Sequence, residues 1–249
     1  MFLIHQANLA GSLPSRRPPS RSDAVQTTAS TDFAQARRNM VDGQLRTFDV
    51  TDRAVLAAME EVPREAFVPA ASRPLAYSDL AIDLGMAPAR RAMLPPMVLG
   101  RMLQALDVEV GMRILDVGSG GGYGSAVLAR LGASVTALET DAEVAAGAGA
   151  ALGLSGVAGV TQRVGPLEAG SPGDGPFDAV LVNGAVEAAP ETLIGQLTAT
   201  GRLVCLVQEG GRCVATLFVR SGDALGRRAL FDAAAPLLQG FLVPRSFTF

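Results

Sequence analysis

Apolar positions recur along this chain with two different periods, and the change of period divides it into elements. From Asp32, residues spaced for one helical face run through Arg37, Met40 and Leu45, with Thr31 or Asp32 placed to cap the helix. A second helical stretch carries Val55, Leu56, Met59 and Val62 on one face behind Thr51 or Asp52. Pro63 and Pro69 then forbid further helix. The pair Pro95-Pro96 opens another, with Val98, Met102, Ala105 and Leu106 on one face. Beyond it, short apolar runs alternate with helical segments. Strands are expected at 113–117, 135–138, 159–164, 177–183 and 202–207, and helices at 125–131, 141–152 and 192–197. Such alternation implies a doubly wound, mostly parallel sheet. Gly210-Gly211 predicts a hairpin into 213–220. The tail from Arg228 is expected to add an antiparallel edge strand, packed down by Phe241, Phe247 and Phe249.

The sharpest break in the pattern is Arg113-Ile114-Leu115-Asp116-Val117-Gly118-Ser119-Gly120-Gly121-Gly122-Tyr123-Gly124. An apolar run ends in an acid and gives way to glycines, which let the backbone turn sharply and let a ligand approach without a Cβ in the way. The helix that follows directs its free N–H groups at whatever sits in the turn. This is the entrance of a nucleotide cofactor. A dinucleotide fingerprint needs glycine, or alanine at the last place, at relative positions one, three and six. Counted from Gly118 the last place is Tyr123, and from Gly120 it is Ser125, so that class does not fit. The next apolar run, Val135-Thr136-Ala137-Leu138, ends in Glu139. An acid at the tip of this second strand is placed to accept hydrogen bonds from both hydroxyls of a ribose.

The acid two residues before Gly118, the alternation of Gly118, Gly120 and Gly122, and Glu139 in register resemble the first motifs of S-adenosylmethionine-dependent methyltransferases. The resemblance implies S-adenosyl-L-methionine as cofactor and a Rossmann-like doubly wound α/β sheet, mostly parallel with a C-terminal antiparallel element. It implies cofactor contacts from Asp116, Gly118, Ser119, Gly120, Gly122, Glu139 and Thr140. Tyr123 either packs over the cofactor or bridges the core.

Composition narrows the chemistry. The net charge of -3 leaves no electrostatic footprint for nucleic acid. His5 is the single histidine, which excludes Ser-His-Asp and Cys-His hydrolases and leaves no metal cluster. Cys205 and Cys213 both fall in strand sequence, so a reducing cytoplasm is expected rather than a disulfide framework. No apolar run is long enough to span a bilayer. Residues 1–31, rich in Ser, Pro, Arg, Thr and Ala, are expected to be a disordered extension. Residues 32–95 are then an N-terminal helical cap with a substrate loop, and 96–249 the cofactor-binding domain.

Val62-Pro63-Arg64-Glu65-Ala66-Phe67-Val68-Pro69, followed by Ala76-Tyr77-Ser78-Asp79 and Ile82-Asp83-Leu84-Gly85, is similar to the amino-terminal signature of protein-L-isoaspartate O-methyltransferases. The likeness continues through Pro96, Arg101-Met102, Phe177-Asp178-Ala179-Val180 and Gly201-Arg202-Leu203-Val204, and covers residues 40 to 220. It implies methylation of the carboxylate of isoaspartyl residues in damaged proteins or peptides, by a monomer or homodimer. That carboxylate is ionised at neutral pH, so no general base is needed.

Two stretches depart from the family pattern, at three positions. Its Thr-x-Ser-x-Pro loop, whose hydroxyls sit at the methyl-transfer site, reads Ala92-Met93-Leu94-Pro95-Pro96 here. Its Gly-Asp pair, whose carboxylate holds the adenine amino group, reads Gly165-Pro166, leaving the task to Glu168 or to backbone groups. Arg90 and Arg91 either bind the acceptor carboxylate in place of the lost hydroxyls or form a solvated basic pair. Asp79 and Asp83 either line the cleft or serve as turn and cap residues. Asn183, at a strand tip, is placed beside the methyl donor. Asn183, Arg91 and Asp83 are therefore the candidate catalytic residues. Beside isoaspartyl repair stand a same-fold methyltransferase with another acceptor and a member that has lost catalysis.

Overall fold

The computed structural model describes residues 32–85 and 91–242. The extension expected at 1–31, Arg90, Phe247 and Phe249 lie outside the described residues. Asp32 caps α1 (Phe33–Met40), accepting from Gln35 N–H at 3.0 Å, and Asp52 caps α2 (Arg53–Glu61), accepting from Ala54 N–H at 2.8 Å. Past Met40 the chain widens into a π turn, Val41–Leu45, which keeps Val41 and Leu45 buried. The prolines after α2 do end regular helix, but Arg64–Phe67 and Ala70–Leu75 still close tight 3₁₀ turns. The loop expected to face the substrate is flanked by a two-residue antiparallel pair, β1 (Ile82–Asp83) with β2 (Ala92–Met93), and the chain then runs into α3 (Pro96–Leu106).

The remaining elements are β3 (Arg113–Val117), α4 (Tyr123–Arg130), β4 (Ser134–Glu139), α5 (Ala142–Leu154), β5 (Val160–Val164), β6 (Phe177–Val186), α6 (Glu191–Ile194), β7 (Leu197–Glu209), β8 (Arg212–Ser221) and β9 (Ala224–Asp232). The strands form one sheet in the order β5-β4-β3-β6-β7-β8-β9, parallel as far as β7 and antiparallel beyond it. Alternation along the strands feeds two cores. Ile114, Ala179 and Leu181 face the layer built from α1 to α4, whereas Leu115, Val117, Val180 and Val182 face the layer of α6. Leu45, Met59, Phe67 and Leu94 belong to the first of these cores, so the cap and the sheet share one apolar interior.

Two sequence expectations shift, and the expected hairpin is present. The helix expected at 192–197 is a single turn, α6, because the chain must straighten to enter β7 at Leu197. The Gly210-Gly211 turn has positive φ at both residues, 58° and 80°, as a two-residue hairpin requires. The antiparallel edge strand begins at Ala224, not Arg228, and the tail beyond it leaves the edge altogether. It returns over the end of the sheet, where Ala185 N–H donates to Pro236 O and Leu238 N–H donates to Ala185 O, both at 2.9 Å. Leu238 is buried there, with Phe241 packed against the same core.

Candidate active site

The glycine turn lies at the carboxyl end of β3, in the middle of the parallel sheet. Gly118, Gly120 and Gly122 all have positive φ, at 69°, 55° and 91°, which accounts for their alternation. Gly121 is required for a different reason. A Cβ on it would stand 2.3 Å from the carbonyl oxygen of Phe67, so the cap backbone touches the turn directly.

Two acids frame this turn, and they do different work. Asp116 is fully buried and accepts from Ser125 Oγ at 2.5 Å and from Asn183 Nδ2. Burial pushes its pKa up to about 7, against the two hydrogen bonds that favour the carboxylate. Asp116 thereby braces the turn from beneath, tying the first turn of α4 to the tip of β6. Register between β6 and β7 slips from Leu181 to Ala185, the stretch that carries Asn183.

Glu139, at the tip of β4, is 1% exposed. Its Oε1 accepts from Gly120 N–H at 2.7 Å and Arg91 Nε at 3.0 Å, and its Oε2 from Arg91 Nη2 and Thr140 N–H, both at 3.1 Å. Arg91 is only 2% exposed and its Nη2 also reaches Thr140 Oγ1 at 3.2 Å. Of the two readings open for Arg91, a solvated basic residue is therefore wrong: the carboxylate it binds is one of the protein's own. Beside Glu139, Gly165 N–H donates to Glu139 O at 2.9 Å, which puts Gly165-Pro166 at the tip of β5.

Between turn and loop is a narrow space walled by Leu84, Ala92 and Leu94 from the loop, Gly118 and Ser119 from the turn, and Asn183 from β6. Ser119 Oγ is buried there with no hydrogen-bond partner. Asp83 does not join these residues. It is exposed, and its carboxylate accepts from Gly85 N–H at 2.8 Å as a turn residue does, while Asp79 is likewise exposed. Tyr123 is a core aromatic, 5.8 Å from the Phe67 ring centroid to centroid.

Two contributors went unnoticed in the sequence. Arg64 is completely buried, donating from Nε to Ala76 O at 2.7 Å and from Nη2 to Leu94 O at 2.6 Å. Its guanidinium carbon lies 4.8 Å from the centre of the Tyr123 ring. It pins the backbone of the substrate loop to the cap. Ser125 is the other, and its position one turn into a glycine-led helix was the available signal.

A doubly wound sheet with a glycine turn after its central strand and an acid closing the next strand defines a nucleoside-binding α/β protein of the methyltransferase kind. The sequence profile described as protein-L-isoaspartate(D-aspartate) O-methyltransferase (PCMT) matches residues 36–230, and the chain belongs to that family. It is 40% identical to a protein-L-isoaspartate O-methyltransferase of Methylorubrum extorquens, over 92% of this chain and 97% of that one. It is 39% identical to a relative of the same name from Roseiflexus castenholzii, over 84% of this chain and 94% of that one. A solved protein-L-isoaspartate O-methyltransferase superposes with a TM-score of 0.73 at 23% identity, covering 83% of this chain and 67% of that one. A candidate protein-L-isoaspartate O-methyltransferase from Plasmodium falciparum, in complex with S-adenosyl-L-homocysteine, superposes at 0.71 and 18% identity, covering 82% and 98%. These likenesses of structure speak to the fold.

Proposed function

We propose that the protein is an S-adenosyl-L-methionine-dependent O-methyltransferase that esterifies the isoaspartyl carboxylate of damaged proteins and peptides. Family membership across 36–230 carries this reading, and the geometry at the turn supports it. The residues present suit the cofactor. Ser119 Oγ is a buried hydroxyl without a partner beside a glycine turn, and Glu139 stands at the adjoining strand tip with side-chain donors on both oxygens. Glu139 and Thr140 would hold the ribose, and Gly118, Ser119 and Gly120 the amino-acid end. Bound S-adenosyl-L-methionine supplies an electrophilic methyl group for in-line displacement.

The chain's own part is to hold the acceptor carboxylate in line and to exclude water. Leu84, Ala92 and Leu94 give the narrow space an apolar wall. Asn183 Nδ2 is committed to Asp116, whereas Ser119 Oγ is an unpaired side-chain donor on the opposite wall. A second reading, the same fold with another acceptor, is favoured by one observation: Ala92 and Leu94 place no hydroxyl in that space. Labelled methyl transfer to an isoaspartyl peptide and to its normal aspartyl twin separates the two. Transfer to the isoaspartyl peptide alone is expected, and transfer to neither moves the search to other acceptors. The thiols of Cys205 and Cys213 are both free, which supports a cytoplasmic setting.

A further inference from the structure

A carboxylate has about four lone-pair positions for donors, and those of Glu139 are all filled. Two are taken by backbone N–H groups that the fold fixes, from Gly120 and Thr140. The other two are taken by Arg91, Nε to Oε1 at 3.0 Å and Nη2 to Oε2 at 3.1 Å. A planar guanidinium edge offers a carboxylate two side-by-side donors, as the vicinal hydroxyls of a ribose do. The ribose cannot join Glu139 while Arg91 occupies those positions.

We propose that Arg91 is a placeholder for the ribose diol: cofactor binding displaces it from Glu139, and the freed guanidinium then receives the carboxylate of the acceptor. This rests on the reading of Glu139 as the ribose acid. Arg91 stands next to Ala92 in the loop whose hydroxyls are missing, and its Nη1 is buried without a partner, so the side chain already has an unused donor. Breaking a buried ion pair leaves an uncompensated charge on each side. The ribose hydroxyls restore donors to Glu139 but leave Arg91 bare, and an acceptor carboxylate restores the second half. Cofactor and carboxylate-bearing acceptor therefore favour each other's binding, by the same factor in both directions.

The test is calorimetric titration of S-adenosyl-L-homocysteine into the wild type, Arg91→Lys and Arg91→Ala, each also followed by thermal unfolding. Arg91→Ala removes the competitor and is expected to bind about tenfold tighter or more, with a correspondingly larger thermal shift on ligand addition. Arg91→Lys keeps the charge but loses the fork, and is expected to fall between; it carries the test should Arg91→Ala not fold. The isoaspartyl peptide should show a raised KM with Arg91→Ala. Affinity unchanged or weakened in both folded variants overturns the exchange and makes Arg91 an orienting partner of Glu139. Should Glu139→Gln leave the wild-type affinity intact, Glu139 is not the ribose acid, and the exchange falls together with that part of the proposed function.

Discussion

The glycine turn and the substrate loop face each other across one narrow space, yet they are built by different rules. The turn is made of backbone. Its glycines are there because φ is positive or because Phe67 O leaves no room, and its acid Asp116 is consumed in bracing it. The loop is made of side chains. Leu94 is buried, Arg91 is paired with Glu139, and Arg64 fixes the Leu94 carbonyl from the cap. A backbone-built site tolerates few substitutions, whereas a side-chain-built site can change acceptor chemistry while the fold stays intact.

Breaking the link between the two regions should have the largest effect. Glu139→Ala leaves the Arg91 guanidinium buried and unpaired, so a stability loss of about 3–5 kcal/mol is expected in denaturant unfolding, together with weaker S-adenosyl-L-homocysteine binding. Gly121→Ala drives a methyl into the Phe67 carbonyl and should cost about 3 kcal/mol without touching the loop's chemistry. A midpoint of unfolding unchanged from wild type would mean the cap backbone yields more readily than the 2.3 Å approach implies.

Asp116 sharpens the comparison through pH. Its folded pKa, about 7, lies above the ordinary 3.8, so the folded state favours the protonated acid. As pH rises from about 4 to about 7 the unfolded chain gives up this proton first, and the folded state loses stability by an amount on the order of 2–4 kcal/mol. Asp116→Asn should remove that fall, seen as the difference between wild-type and variant unfolding curves across the range. Parallel curves would contradict a protonated Asp116. At the small end stands Asp83→Ala, which loses a turn hydrogen bond at an exposed site. It should shift stability by about 0.5–1 kcal/mol, with methyl transfer unchanged; a large fall in transfer would return Asp83 to the site.

Much of this was legible in the sequence. The strands from β3 to β8, the caps at Asp32 and Asp52, the hairpin at Gly210-Gly211 and the glycine turn all follow from local rules of period, capping and φ. What was hidden depends on residues far apart in the chain. Arg91 and Glu139 are separated by 48 positions, and nothing in Arg90-Arg91 distinguishes a buried fork from a solvated pair. Nothing in the sequence shows that Asp116 accepts from Ser125 and Asn183 beneath the turn. The tail is half legible for the same reason: residues 228–232 do lie in the antiparallel edge strand, but beyond Asp232 the hydrogen-bonding groups of Ala185 capture the chain.

The most direct test of whether turn and loop make one methyl-transfer site is the affinity of the wild-type protein for S-adenosyl-L-homocysteine, measured with and without saturating isoaspartyl peptide. Tighter binding in the presence of that peptide, and no change with its aspartyl twin, is the expected result. An affinity that ignores the isoaspartyl peptide, or no binding of S-adenosyl-L-homocysteine at all, would contradict the account.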